Sequence, residues 1–347
     1  MMIKFLIYRI FRAIPLLFVV IGIVFLLYQY LPGDPVEATY VMPQRKYGMD
    51  SVDYNLQYQR YAKELGLDLP LFFIGHNPQN GLQWNGFNNQ YATKVKKIFQ
   101  GDFGISYRTK QPVLKELSEA IRWTLLINGF SLVLIFFLGI YLGMESASRY
   151  RSKIDRIILN SSFVLDAIPT FWLATLLMIF FTNNYYGLQI FPSTGLGNAP
   201  YDAGFSTKLL YALPHLLLPV ICIVLGSVSM VIRQMRSSAL QVAKQDYIRT
   251  ARAKGLNEKR IMRRHIFPNA VFPMITMAGT AVPDLIAGSF LVENIFNIPG
   301  MGKLTVESIA NKDFPILFAV VILTAVFTIL GNTIAELLYR HYDPKVG

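Results

Sequence analysis

Two carboxylates inside long apolar runs are the residues of this sequence whose chemistry is hardest to place. Asp166 falls near the middle of one run, and Asp284 in the outer half of another. A carboxylate at bilayer depth costs about 2.5–3.5 kcal/mol on insertion scales, so each must face protein or water. Two readings stand for each. Either the side chain lines a translocation path, where it holds a ligand ammonium or keeps the path wet, or it is protonated or hydrogen-bonded to a Ser, Thr or Asn of a neighbouring helix. Pro169, next to Asp166, breaks the helix and frees a carbonyl toward a cavity. Glu293 sits where the second run ends, as part of an outer gate or as an interfacial cap.

Other chemistry is excluded by type and spacing. Four histidines lie far apart, and the single cysteine, Cys222, is inside an apolar run. No Ser/His/Asp cluster and no metal-ligand spacing appears, so no catalytic residue and no metal site is expected. The run ending Gly302-Lys303-Leu304 fails as a phosphate loop, because Asn297 replaces the first glycine and Leu304 the Ser or Thr. The chain therefore needs no cofactor of its own.

These residues need membrane helices to position them. The 347 residues are 53% hydrophobic, with a mean hydropathy of +0.38, too apolar for an ordinary soluble domain. Six segments reach the roughly 20 residues needed to cross a bilayer: 6–30, 118–143, 157–182, 211–232, 269–292 and 314–338. The fold class is an all-α polytopic membrane protein with six transmembrane helices. A long external insertion follows the first, and a basic cytoplasmic loop lies between the fourth and fifth. The organisation is an N-terminal helix at 1–30, an extracytoplasmic cap segment at 31–117, and a core at 118–347 whose loop covers 233–268. Residues 71–95 follow no recognisable pattern. The first span has no small-residue cleavage site after it, so it reads as an uncleaved helix instead of a signal peptide. Pro214 and Pro219 are expected to bend the fourth span or delay its start, and Pro273 and Pro283 to break the fifth.

The net charge of +12 is explained by topology, not nucleic acid, because Lys and Arg flank the spans. The short external loops carry only Lys208, Lys303 and Lys312. The positive-inside rule then places both termini and 233–268 in the cytoplasm. The core of that loop, QDYIRTARAKGLNEKRIMRRHIFP (Gln245–Pro268), patterns as helix, glycine turn, helix. Ala251 and Ala253 suit a short first helix, Gly255 a positive-φ turn, Asn257 an N-cap, and Pro268 a stop.

This loop resembles the cytoplasmic EAA loop of ABC-importer permeases, and DYIRTARAKGL is similar to the dipeptide/oligopeptide/nickel permease family. The resemblance extends along the chain through LPGDP (Leu31–Pro35), ELGLD (Glu64–Asp68), GDFGIS (Gly101–Ser106) and IPTFW (Ile168–Trp172). It continues through VENIFNIPGMG (Val292–Gly302), DFP (Asp313–Pro315) and YDPK (Tyr342–Lys345). The sequence departs from the family at the acidic position of the loop motif, which is Arg249. The resemblance implies a bacterial or archaeal cytoplasmic (inner) membrane, a second homologous permease subunit, two cytoplasmic ATPase subunits that hold ATP and Mg, and an extracytoplasmic substrate-binding protein. It implies that Asp246, Tyr247, Arg249, Thr250, Ala251, Ala253, Lys254, Gly255 and Leu256 dock in a cleft of the ATPase, with Tyr247 as the anchor. The implied solute is a di- or oligopeptide, with nickel chelates and glutathione-like compounds as alternatives. A proton-coupled secondary transporter using Asp166 and Asp284 is the competing class, and no inverted repeat supports it.

Overall fold

The apolar runs form helices because a backbone in hydrocarbon must satisfy its own hydrogen bonds. The structure, a computed structural model, describes residues 2–30, 34, 36, 51–77, 81–182, 187–200 and 202–342. The chain divides into two compact units. One comprises 7–119 and 305–326, the other 1–6, 120–304 and 327–347.

The first unit begins in helix α1 (Met2–Tyr30), followed by α2 (Ser51–Leu65). Gly66, at φ 74°, ends α2. Its N–H donates to the Lys63 carbonyl and that of Leu67 to Ala62, the paired bonds of a glycine C-terminal cap. The unassigned stretch 71–95 folds as a small antiparallel hairpin, β1 (Ile74–Asn77) against β2 (Gly81–Trp84), followed by α3 (Gln90–Phe99). The hairpin is a departure from the all-helical expectation. Residues flanking the hairpin pack within this unit. Tyr91 donates its hydroxyl to the Phe18 carbonyl at 2.8 Å and sits among the rings of Phe25, Phe72 and Phe73. The Gln90 side chain donates to the carbonyls of Leu67 and Leu69.

Two of the resembling motifs meet in this unit. Asp313, fully buried, accepts from the Ser106 hydroxyl and from the Tyr107 and Arg108 N–H groups at 3.0 and 3.2 Å. The GDFGIS and DFP motifs are thus two halves of one contact. Asp34 of the LPGDP motif accepts from the Tyr58 hydroxyl at 2.7 Å. The rest of that motif and residues 343–345 of YDPK lie outside the described residues.

The second unit is built on two long helices, α4 (Val113–Ser148, which starts in the first unit) and α7 (Phe205–Ala243). At about 1.5 Å per residue both exceed the roughly 30 Å hydrocarbon thickness. They approach closely because α4 offers Gly139 and Gly143 one turn apart. A Cβ on Gly139 would lie 2.6 Å from Val231, and one on Gly143 2.7 Å from the Ile232 carbonyl. The fourth span does not start late. Pro214 and Pro219 are both inside α7, which also absorbs the first eleven residues of the predicted loop, 233–243.

The third predicted span is not one straight helix. It is α5 (Lys153–Ala167) and α6 (Thr170–Thr182), bent by 97° at the intervening break. Ile168 precedes Pro169 and is forced into extended geometry, φ −87° and ψ 118°, which an α-helix cannot continue through. The fifth span is interrupted at 281–283, where Pro283 lies, and again at Gly288 (φ 80°), which leaves α11 (Phe272–Thr280), α12 (Asp284–Ala287) and α13 (Phe290–Ile295). Pro273 sits in the first turn of α11, after the short α8, α9 and α10 described below. Then come α14 (Met301–Ala310) and α15 (Phe314–Tyr342). Among the described residues four helical segments are long and apolar enough to span a membrane, and the bent pair makes a fifth. Helix α1 contributes a shorter apolar stretch, Phe11–Leu27.

Candidate coupling helix and translocation surface

The basic loop forms α8 (Asp246–Ala253), a turn at Gly255, and a second helical run from α9 (Glu258–Ile261) through a π turn (Met262–Ile266) to α10 (Phe267–Ala270). Gly255 has φ 73° and nothing within 4 Å of where a Cβ would sit, so glycine is required by backbone conformation alone. Asn257 caps α9, its side chain accepting from the Lys259 N–H at 3.0 Å. Pro268 does not stop this run. Lacking an N–H and clashing with the carbonyl four residues back, it is accommodated by the wider π turn just before it.

Spacing divides α8 into two faces. Ile248 and Ala251, three residues apart, are buried against the core together with Ile261 and Ile266. Asp246, Tyr247, Arg249, Thr250, Ala253 and Lys254 are exposed, and Leu256 is half-buried. Ala251 thus seats the helix on its own chain and is not on the outward face. Ile248, absent from the sequence-derived set, is its main anchor. Tyr247 is 47% exposed, with no hydrogen-bond partner among the described residues. Arg252 pairs with Glu258 at 2.7 Å, tying α8 to α9, although at this exposure such a pair contributes little stability.

Within the bilayer segments a cavity of about 440 Å³ is lined by apolar side chains and by Asn128, Ser227, Thr280, Asp284 and Ser289. Asp284 is at the start of α12, where its carbonyl accepts from the Asn128 amide at 3.0 Å. Neither Asp166 nor Pro169 lines this cavity. Asp166 instead pairs with Arg233 at 2.9 Å, and the guanidinium lies 5.3 Å from the Phe163 ring. The anticipated Ser, Thr or Asn partner is replaced by a cation, because α7 runs eleven residues, about three turns, beyond its predicted end, and Arg233 is the first of them.

Glu293 is fully buried. It accepts from the Thr124 hydroxyl at 3.0 Å and from the N–H groups of Gly302 and Lys303 at 2.7 and 3.2 Å, while Met301 N–H donates to Thr124. The first three N–H groups of α14, which have no partner within the helix, are thereby satisfied from outside it. The VENIFNIPGMG motif follows from this packing. A Cβ on Gly300 would lie 2.4 Å from the Glu293 carboxylate, and one on Gly302 2.5 Å from the Phe290 backbone.

A buried ion cluster escaped the sequence reading. Asp155 is 3% exposed and accepts from both the Nε and Nη2 of Arg236, at 2.8 and 2.9 Å, from the Ser146 hydroxyl, and from the Arg151 N–H at 2.8 Å. The signal was available. Arg233 and Arg236 are three apart, on one face of a helix if the fourth span continues. Among the described residues no three His, Cys, Asp or Glu side chains are grouped to hold a metal ion.

A bent third span, an interrupted fifth and an exposed basic helix between long apolar helices define an integral membrane protein. Residues 135–347 match the family described as "Binding-protein-dependent transport system inner membrane component". The chain belongs to that family. It is 32% identical over 346 residues to the oligopeptide transport system permease protein AppB of Bacillus subtilis, covering 99% of both chains. It is 33% identical to the probable D,D-dipeptide transport system permease protein DdpB of Escherichia coli, covering 94% of this chain and 92% of that one. It is 34% identical to the dipeptide transport system permease protein DppB of Haemophilus influenzae, covering 99% of each. Among solved structures, an inward-facing MetNI methionine ABC transporter chain aligns with a TM-score of 0.51 at 16% identity, over 66% of this chain and 97% of that one. That likeness concerns the fold alone.

Proposed function

We propose that this chain is a permease subunit of an ATP-driven, binding-protein-dependent importer of di- or oligopeptides. It pairs with a second homologous permease, and the pair engages two cytoplasmic ATPases and an extracytoplasmic substrate-binding protein. Both of its termini lie in the cytoplasm. The observation that carries the reading is the outward face of α8. An exposed Tyr247, flanked by Asp246, Arg249, Thr250, Ala253 and Lys254, stands on a helix whose other face is locked into the core. ATP-driven movement of a bound ATPase is transmitted through Ile248 and Ala251 to α7 and the broken helices. Asp284 faces the solute path, Asp166 and Pro169 mark the bend that moves, and Glu293 acts at the outer mouth by fixing the start of α14. The names of the relatives support peptide as the solute.

The test is uptake of a labelled dipeptide by cells with and without this gene. Uptake should fall with ATP depletion and persist when an uncoupler collapses the proton gradient while ATP is kept high. Excess unlabelled peptide should compete, and nickel chelates and glutathione should not. Uptake that fails with the uncoupler at constant ATP would contradict the reading.

A further inference from the structure

The unit comprising 7–119 and 305–326 holds a second cavity of about 260 Å³, walled by residues of 64–107 together with Phe25 and Gln29 of α1 and Pro315 and Phe318 of α15. Lys94 of α3 is one of its walls. The ammonium lies 5.2 Å from the Phe318 ring centroid, a favourable but weak contact. It has no hydrogen bond and no ion pair among the described residues. Burial, with Lys97 nearby, pushes its pKa down to about 8, and Asp102 only partly offsets this. A half-buried cation beside a cavity, with no anionic partner among the described residues, is the group an anion would satisfy.

The remaining walls narrow the ligand. Glu64 and Asp102 also line the cavity, which disfavours a plain anion. One Asp102 oxygen accepts from the Gly104 N–H at 2.9 Å, and the other has no hydrogen-bond partner among the described residues. Phe25, Leu67 and Phe103 supply apolar surface. The volume lies just under the roughly 300–1,000 Å³ of ordinary ligand pockets, which limits the occupant to a few heavy atoms beyond an amino acid. We infer that this cavity is a binding site for a small zwitterion, a free amino acid or dipeptide, with its carboxylate on Lys94 and its ammonium on Asp102. The site shares no lining residue with the cavity that Asp284 lines, and the inference does not depend on which solute crosses the membrane.

The experiment uses the full chain in phosphatidylcholine nanodiscs, without partner subunits, and titrates alanyl-alanine by calorimetry. Saturable binding is expected. The C-terminal amide and the N-acetyl form should each bind at least about tenfold more weakly, since each removes one charge-assisted contact. Lys94→Met should weaken the dipeptide similarly. Asp102→Asn should weaken the dipeptide but not its N-acetyl form. The proposal is overturned if the wild type shows no saturable binding, or if the amide binds equally well. It is also overturned if inorganic phosphate binds as tightly, or if phosphatidylglycerol in the discs displaces the dipeptide and a lipid headgroup is the occupant. Should Lys94→Met fail to fold, the ligand series on the wild type still decides. Peptide uptake by cells with no binding here would remove this site and leave the transport reading intact. Binding without uptake would do the reverse.

Discussion

Asp155 and Arg236 form a buried pair in which each charge depends on the other. Removing one partner strands a charge, which costs about 3–5 kcal/mol, whereas replacing both with apolar residues costs far less. Asp155→Ala should therefore lower the thermal unfolding midpoint in detergent more than the double variant Asp155→Leu/Arg236→Met. Equal losses would mean that the pair is not coupled. The glycines divide by the same logic. Gly302→Ala drives a Cβ into the Phe290 backbone, where nothing can give way, and should abolish folding or nearly so. Gly255→Ala meets only open space and a positive φ, a strain of about 1–2 kcal/mol. Comparing the expression and melting of the two variants checks this. Lys94 adds a pH dependence. Its pKa is lowered to about 8, so its charge, and with it dipeptide affinity, should fall as pH rises through about 8. The other titratable groups lining that cavity are Glu64, Lys97, Asp102 and Tyr107. Lys94→Arg should remove the pH dependence while retaining binding, and an unchanged profile would assign it to another group.

At the scale of elements, α8 separates what holds it from what it presents. Ile248→Asp puts an unpaired carboxylate at a fully buried position and should destabilise the chain by several kcal/mol. Tyr247→Ala alters an exposed ring and should leave the melting temperature within a degree or two while weakening ATPase association. A matching loss of stability in both would place Tyr247 in the core. Much of this element was legible. Gly255, Asn257 and the apolar flanks fix helix, turn and cap through local backbone preference, which sequence reports directly. Pro268 misled, because a local rule says that a helix ends there, whereas a π turn offers the chain another way to accommodate the ring. The 97° bend at Pro169 was likewise hidden. A break was readable in Ile168-Pro169, but its angle is set by tertiary packing. Asp166 was legible as a buried-charge problem and not as a solution, since its partner Arg233 belongs to a helix whose end the hydropathy pattern placed too early.

At the scale of the molecule, the scattered family-like motifs become contacts within their own units. GDFGIS meets DFP through Ser106 and Asp313, and VENIFNIPGMG closes on itself through Glu293. These links give the spans fixed ends. In the proposed mechanism, a basic helix whose inner face is buried in the core transmits the movement of a separate ATPase to the interrupted helices. The most direct test of that claim is affinity purification of the chain from native membranes in mild detergent, with its companions identified by mass spectrometry. Wild type and Gly255→Pro should be run side by side, because proline cannot adopt the φ of 73° held by Gly255. Wild type should recover a second permease and ATPase subunits, and the variant should keep the permease and lose the ATPases. Recovery of the chain without ATPases at every detergent tested, or ATPases retained equally by the variant, would contradict the account.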